Sequence, residues 1–182
     1  MNKNLFWFTI TILVFSVAMR LLPHMPNFVP IGALALFAGV YLPKRWGIIV
    51  PMTAMLVSDL FIGFYDLRLM AVVYGSFAVM VSVGWLVRGE KNFAAGVLGV
   101  FFGSVFFFVI TNFAVWLLSE WYAPTFDGLM FSYTLALPFF RSSLLGNLFY
   151  SGVFFGAYAA FPALSHVFRN RFHRRKILAC YN

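Results

Sequence analysis

Residues 96–118 carry no charge, and their only members outside the apolar and aromatic set are Gly, Ser, Thr and a single Asn. As a helix rising 1.5 Å per residue, the run is long enough to cross a hydrocarbon core of about 30 Å. Lipid offers the backbone no hydrogen-bonding partner, so a chain in it must form helices or a closed barrel. A barrel strand alternates apolar and polar residues over about ten positions, and this run does not alternate. It therefore reads as a spanning helix. The whole chain has the same character: 63% of residues are hydrophobic, 25 are Phe and 10% are charged, against roughly a quarter charged in a soluble domain. The fold class predicted is an all-α, polytopic transmembrane bundle of about six spans, forming one domain over residues 1–165 with a basic tail over 166–182.

The other spans are delimited by proline and charge. Residues 5–22 make a first span, ended by Pro23, Pro26 and Pro30. Residues 31–42 would give a helix of only about 18 Å, too short to cross unless residues 27–30 enter the membrane as irregular chain. A re-entrant segment is the rival reading there, and cleavage after Ser16-Val17-Ala18 as a signal peptide is the rival for the first span. Spans at 46–63, 69–87, 93–118 and 142–161 follow, with a wet loop over 119–129.

Loop charge played no part in choosing these spans, so it tests them. With the N-terminus inside, Lys3, Lys44, Arg45, Arg88, Lys91, Arg169, Arg171, Arg174, Arg175 and Lys176 are cytoplasmic, leaving Arg20, Arg68 and Arg141 outside. The expected location is a bacterial inner membrane, with both termini cytoplasmic. The formal charge of +8 then reflects membrane orientation, and no nucleic-acid partner is expected. Cys180, the one cysteine, reads as a reduced bystander.

Polar residues inside a membrane are costly, so their positions are informative. Arg20, His24, Asn27, Asp59, Asn112, Trp116, Arg141 and Asn147 all fall towards the outer side in this scheme. One reading makes them a cavity open to the outside, in which arginines grip an anionic or carbonyl group. The other makes them packing partners, with Asp59 neutralised by Arg20 or Arg141. Both stay open from sequence. No His/Cys/carboxylate spacing suits a metal, no second membrane His suits haem, and no nucleophile elbow or phosphate loop is present. No cofactor, no metal and no catalytic activity are expected. The patterns Ala35–Gly39, Gly99–Gly103 and Gly152–Gly156, each small-xxx-small, mark close helix approaches, within the bundle or to a second membrane protein.

The segments from Arg20-Leu-Leu-Pro-His to Ala38-Gly39, Thr111-Asn-Phe-Ala-Val-Trp116 and Leu137-Pro-Phe-Phe-Arg through Tyr150 resemble a family of small, uncharacterised bacterial membrane proteins. More loosely, residues 28–63, with a Pro-Ile-Gly start, a short apolar run, a basic turn and a helix ending in Asp, are similar to the substrate-binding S components of energy-coupling factor transporters. That resemblance implies a six-helix vitamin binder with an outward site, a transmembrane coupling protein and ATPases as partners. The first span lacks the Ala-x-x-x-Ala patch that S components use for docking. The functional expectation is a membrane solute-binding or transport protein for a small vitamin-like or anionic solute. A structural or assembly protein and an intramembrane enzyme are the alternatives.

Overall fold

A computed structural model describes the backbone over residues 3–89 and 93–179, and the side chains through residue 160 apart from that of residue 93. Six helices follow one another: α1 (Lys3–Leu21), α2 (Ile31–Tyr41), α3 (Lys44–Ile62), α4 (Leu67–Leu86), α5 (Phe93–Leu118) and α6 (Phe126–Ala179), with no strand among the described residues. The all-helical class is as expected, and α1, α3, α4 and α5 are each long and apolar enough to cross a membrane. Large apolar side chains ring the outside: Trp7, Phe61, Phe102, Phe131 and Phe149, among others, are exposed. A surface of that kind fits lipid and not water.

The short helix α2 is the axis of the bundle. Its 11 residues extend about 16 Å, and residues 31–39 are all buried. It touches each of the other five helices. Small residues make this possible. A Cβ added to Gly39 would lie 2.3 Å from the Val81 carbonyl oxygen, and one added to Gly84 would lie 2.6 Å from that of Leu36. The α2–α4 crossing is thus a backbone-to-backbone contact of the type small residues permit. At the end of α2, the Arg88 guanidinium donates to the Gly39 carbonyl (2.7 Å and 3.2 Å) and to that of Leu42. It satisfies carbonyls that the helix terminus leaves open. Around this end Phe37, Tyr41, Phe155 and Tyr158 stack with ring centroids 4.5–5.6 Å apart.

Neighbouring contacts set the depth of α2. Gly32 lies against Asn147, Asn147 donates to Ser104, and Ser104 is close to the middle of α5. Gly39, in contrast, lies beside Gly84 near the end of α4. So α2 fills only the half of the bundle on the Arg88 side. The other half, on the Asp66 side, is entered by irregular chain: the Cα of Phe28 lies 3.2 Å from a Cβ placed on Gly146, and Asn27 has φ of 59°. Residues 31–42 thus do not cross as a complete span, and residues 27–30 do penetrate as non-helical chain, the condition the short run required.

The last helix departs from expectation. It begins at Phe126, not near residue 142, and the loop before it covers 119–125. The Thr125 hydroxyl accepts the Gly128 N–H (3.2 Å) and Asp127 stands in the first turn, an N-terminal signal that polar composition disguised as loop. Pro138 is exposed within α6 and does not end it. The helix backbone continues through the basic segment to Ala179. The side chains of that segment and Glu90, Lys91 and Cys180 lie outside the described residues.

Candidate functional site

Where α2 starts, its backbone is uncapped. Pro30 has no N–H, the first i to i−4 bond is from Leu34 N–H to the Pro30 carbonyl (2.8 Å), and no side chain caps the helix. The first N–H groups of a helix carry a partial positive charge and seek an acceptor. They face a cavity of about 280 Å³ walled by Ile31 and Gly32 of α2, Arg20, Asn27, Ser143 and Asn147. Tyr65 lines its rim, and Met55, Phe77, Met80 and Phe107 supply an apolar wall. A second cavity of about 140 Å³ shares Asn27, Phe107 and Ser143 with the first and adds Thr111 and Asn112. Irregular backbone at membrane depth is tolerated where it is buried in protein or lines a cavity, and Asn27 and Val29 line this one.

Arg20, at the end of α1, forms one wall. Its guanidinium lies 2.8 Å from Asp59 Oδ1 and donates to the Ser58 hydroxyl and the Met55 carbonyl (3.3 Å). Asp59 is 1% exposed, and its other oxygen accepts the Tyr74 hydroxyl at 2.7 Å. The Ser58 hydroxyl itself donates to the Ala54 carbonyl (2.8 Å). The Arg20 to Asp59 contact is an ion pair and not a hydrogen bond, since Oδ1 finds no aligned donor. Charge balance inside the bundle is therefore local, and Arg20 keeps one edge on the cavity at 18% exposure.

Asn147 is the other polar anchor. It donates to the Ser104 hydroxyl (2.9 Å) and is 6% exposed. A Cβ at Gly32 would lie 2.3 Å from Asn147 Oδ1, so only glycine lets the amide sit against the start of α2. Ser143, one turn earlier on the same face of α6, reaches both cavities. At the rim, burial and then the Asp59 charge push the Tyr65 phenol above its ordinary value. It stays protonated and able to donate.

Of the residues singled out from sequence, Arg20, Asn27 and Asn147 line the larger cavity, Asn27 and Asn112 line the smaller, and Asp59 braces Arg20 from behind. Asn112 spends its amide N–H on the Phe108 carbonyl of its own helix (2.7 Å). Three others stand apart. His24 is exposed, with Nδ1 2.6 Å from the Leu22 carbonyl. The Trp116 indole donates to the Ala123 carbonyl (3.0 Å) and ties down the 119–125 loop. Arg141 is exposed, lines neither cavity and is not the partner of Asp59. Sequence reasoning missed Gly32, Tyr65, Tyr74 and Ser143. The i, i+4 spacing of Ser143 and Asn147 was the available signal for one of them. Among the described residues no cluster of three or more His, Cys, Asp or Glu could hold a metal.

A family model described as a family of unknown function, DUF6580, matches residues 1–169. No curated protein and no solved structure matches the chain.

Proposed function

The chain belongs to DUF6580, a family of unknown function, and from its cavity we propose that it is a membrane protein that binds a small solute and moves it across the bilayer. One observation carries this reading. A helix starts at mid-depth, uncapped, beside a cavity lined by irregular backbone, a buried amide and an arginine. Interrupted helices at mid-membrane are a recurrent way of building solute sites, with the N-terminal half-helix directed at an anionic group. A carboxylate or carbonyl would take up the free N–H groups of α2 together with Arg20, and the solute's apolar body would lie on Met55, Phe77, Met80 and Phe107. The volume suits a compact, ring-sized molecule. The reading assigns no chemical step to the site.

The charge distribution of the loops orients the Asp66 side outward, towards an inner-membrane exterior from which solute would enter. The S-component form of the proposal adds a transmembrane coupling protein and ATPases, and predicts that uptake fails in cells lacking the coupling protein. A structural role is favoured for Asp59 itself, which is buried with Arg20 and Tyr74 on its carboxylate and does not line either cavity.

Native mass spectrometry of protein extracted gently from its own membrane tests the proposal. A retained small acid or carbonyl compound is expected in the wild type. Ser143→Leu, which extends a side chain into both cavities, should lose it while keeping the helical content and thermal stability of the wild type. An empty wild-type protein, or equal retention by Ser143→Leu, refutes the reading.

A further inference from the structure

The face of α6 turned away from the bundle carries Arg141 between Leu137 (54% exposed) and Leu145 (51% exposed), with Thr134 and Pro138 before it and Gly152 and Gly156 after it. At 100° per residue these positions share one side of the helix, opposite the side that buries Ser132, Ala136, Asn147 and Tyr150. Arg141 makes no hydrogen bond or ion pair with any described residue.

Its depth makes this costly. Phe140 stacks on Phe108 of α5 with centroids 4.7 Å apart, and Phe107 and Ser143 share both cavities. Arg141 is thus level with residues 107–108, about 16 Å from the Leu118 end of α5 and about 21 Å from the Phe93 end. An arginine side chain is shorter than two helical turns, about 11 Å, so it cannot place its charge among headgroups from there. An intramembrane charge of this kind calls for a counter-charge.

We infer that this face of α6 is the docking surface for a transmembrane helix of another membrane protein that presents a carboxylate at mid-membrane depth. Charge complementarity selects the occupant. A second copy would meet itself across a symmetric interface and bring two Arg141 groups together. Nor do the described acids of a copy supply the carboxylate. Asp59 is buried and paired, Asp66 and Arg68 form an ion pair at the α4 start, and Glu120 and Asp127 lie at the junction of α5 and α6. Glu90, the remaining acid of the five, lies outside the described residues. Close approach is also provided for. A Cβ at Gly152 or Gly156 meets nothing within 4 Å, whereas Gly39, Gly99 and Gly103 are used up against neighbouring helices. The open Gly-x-x-x-Gly therefore leaves a groove for a partner helix about three to four turns beyond Arg141 on the same face. The surface is independent of the solute cavity, which lies on the opposite side of α6.

The test reconstitutes the labelled full-length protein in vesicles of zwitterionic lipid with synthetic Leu/Ala spanning peptides that carry Glu, or Leu, at the central position. Energy transfer between protein and peptide reports association. The Glu peptide is expected to associate at least ten-fold more strongly than the Leu peptide. Arg141→Leu should abolish that preference, Arg141→Lys should keep part of it, and circular dichroism should match the wild type for both. Equal association of the two peptides, or a preference that survives Arg141→Leu, overturns the inference. So does protein self-association that excludes the Glu peptide.

Discussion

Replacing Asp59 by Leu should cost the protein about 3–5 kcal/mol, the range for stranding one member of a buried ion pair. The magnitude follows from what is left behind. Arg20, at 18% exposure, would keep the Ser58 hydroxyl and the Met55 carbonyl but lose its only counter-charge among the described residues, and the Tyr74 hydroxyl would lose its acceptor at 2.7 Å. Asp59→Asn keeps the shape and an acceptor for Tyr74, so it isolates the charge and should cost less than Asp59→Leu. The pair Arg20→Met with Asp59→Leu removes both charges, and should recover most of the loss, because apolar groups of similar volume commonly replace buried ion pairs at little cost. Reversible unfolding in mixed micelles measures all four proteins. At 1.4 kcal/mol per factor of ten, the single Leu variant should be destabilised by roughly two to three and a half orders of magnitude in the unfolding constant. A loss below about 1 kcal/mol for Asp59→Leu, or a double variant worse than either single one, would refute the closed-network account of Arg20, Asp59 and Tyr74.

Three further changes probe the frame around the cavity. Gly84→Ala places a Cβ 2.6 Å from the Leu36 carbonyl oxygen and 2.8 Å from the Gly39 Cα; both are backbone atoms, so α2 and α4 must separate, at about 1–3 kcal/mol in the same unfolding assay. Arg88→Met leaves the Gly39 and Leu42 carbonyls without their donor, and should cost about 2–3 kcal/mol while speeding amide exchange in the last turn of α2. Asp66 caps α4 by accepting the Arg68 and Leu69 N–H groups (2.9 and 3.1 Å), and the Arg68 side-chain bond, followed by the Leu69 amide, holds its carboxyl below its ordinary value of 3.8. A depressed folded-state value means that the cap's contribution is complete above the unfolded value and disappears as pH falls through the folded one; NMR titration of Asp66 should give a midpoint below 3.8, with fraying of the α4 start setting in as the pH falls through that midpoint.

Much of this architecture is legible in the chain because hydropathy is a local property in lipid. Each spanning segment must satisfy its own backbone and carry enough apolar length, so residues 5–22, 46–63, 69–87 and 93–118 could be marked out without knowledge of their neighbours. The same argument marked residues 31–42 as too short to cross unless residues 27–30 enter as irregular chain, with a re-entrant segment as the rival; in the bundle residues 27–30 are non-helical and Phe28 packs against Gly146. The polar residues worth watching were likewise visible, because intramembrane polarity is costly wherever it occurs. Azimuth was not visible. Helices such as α2 and α5 are apolar all round, and with lipid as solvent an inward and an outward face can have the same composition, so no periodicity tells which side of α6 carries Arg141 and which carries Asn147. Pairing was not visible either: Arg20 and Arg141 are equivalent candidates for Asp59 by residue type. The choice of Arg20, the contact of Asn147 with Gly32 and the mid-depth start of α2 all came from the approach of backbones at Gly39 and Gly84, a property of packed helices and not of any one segment.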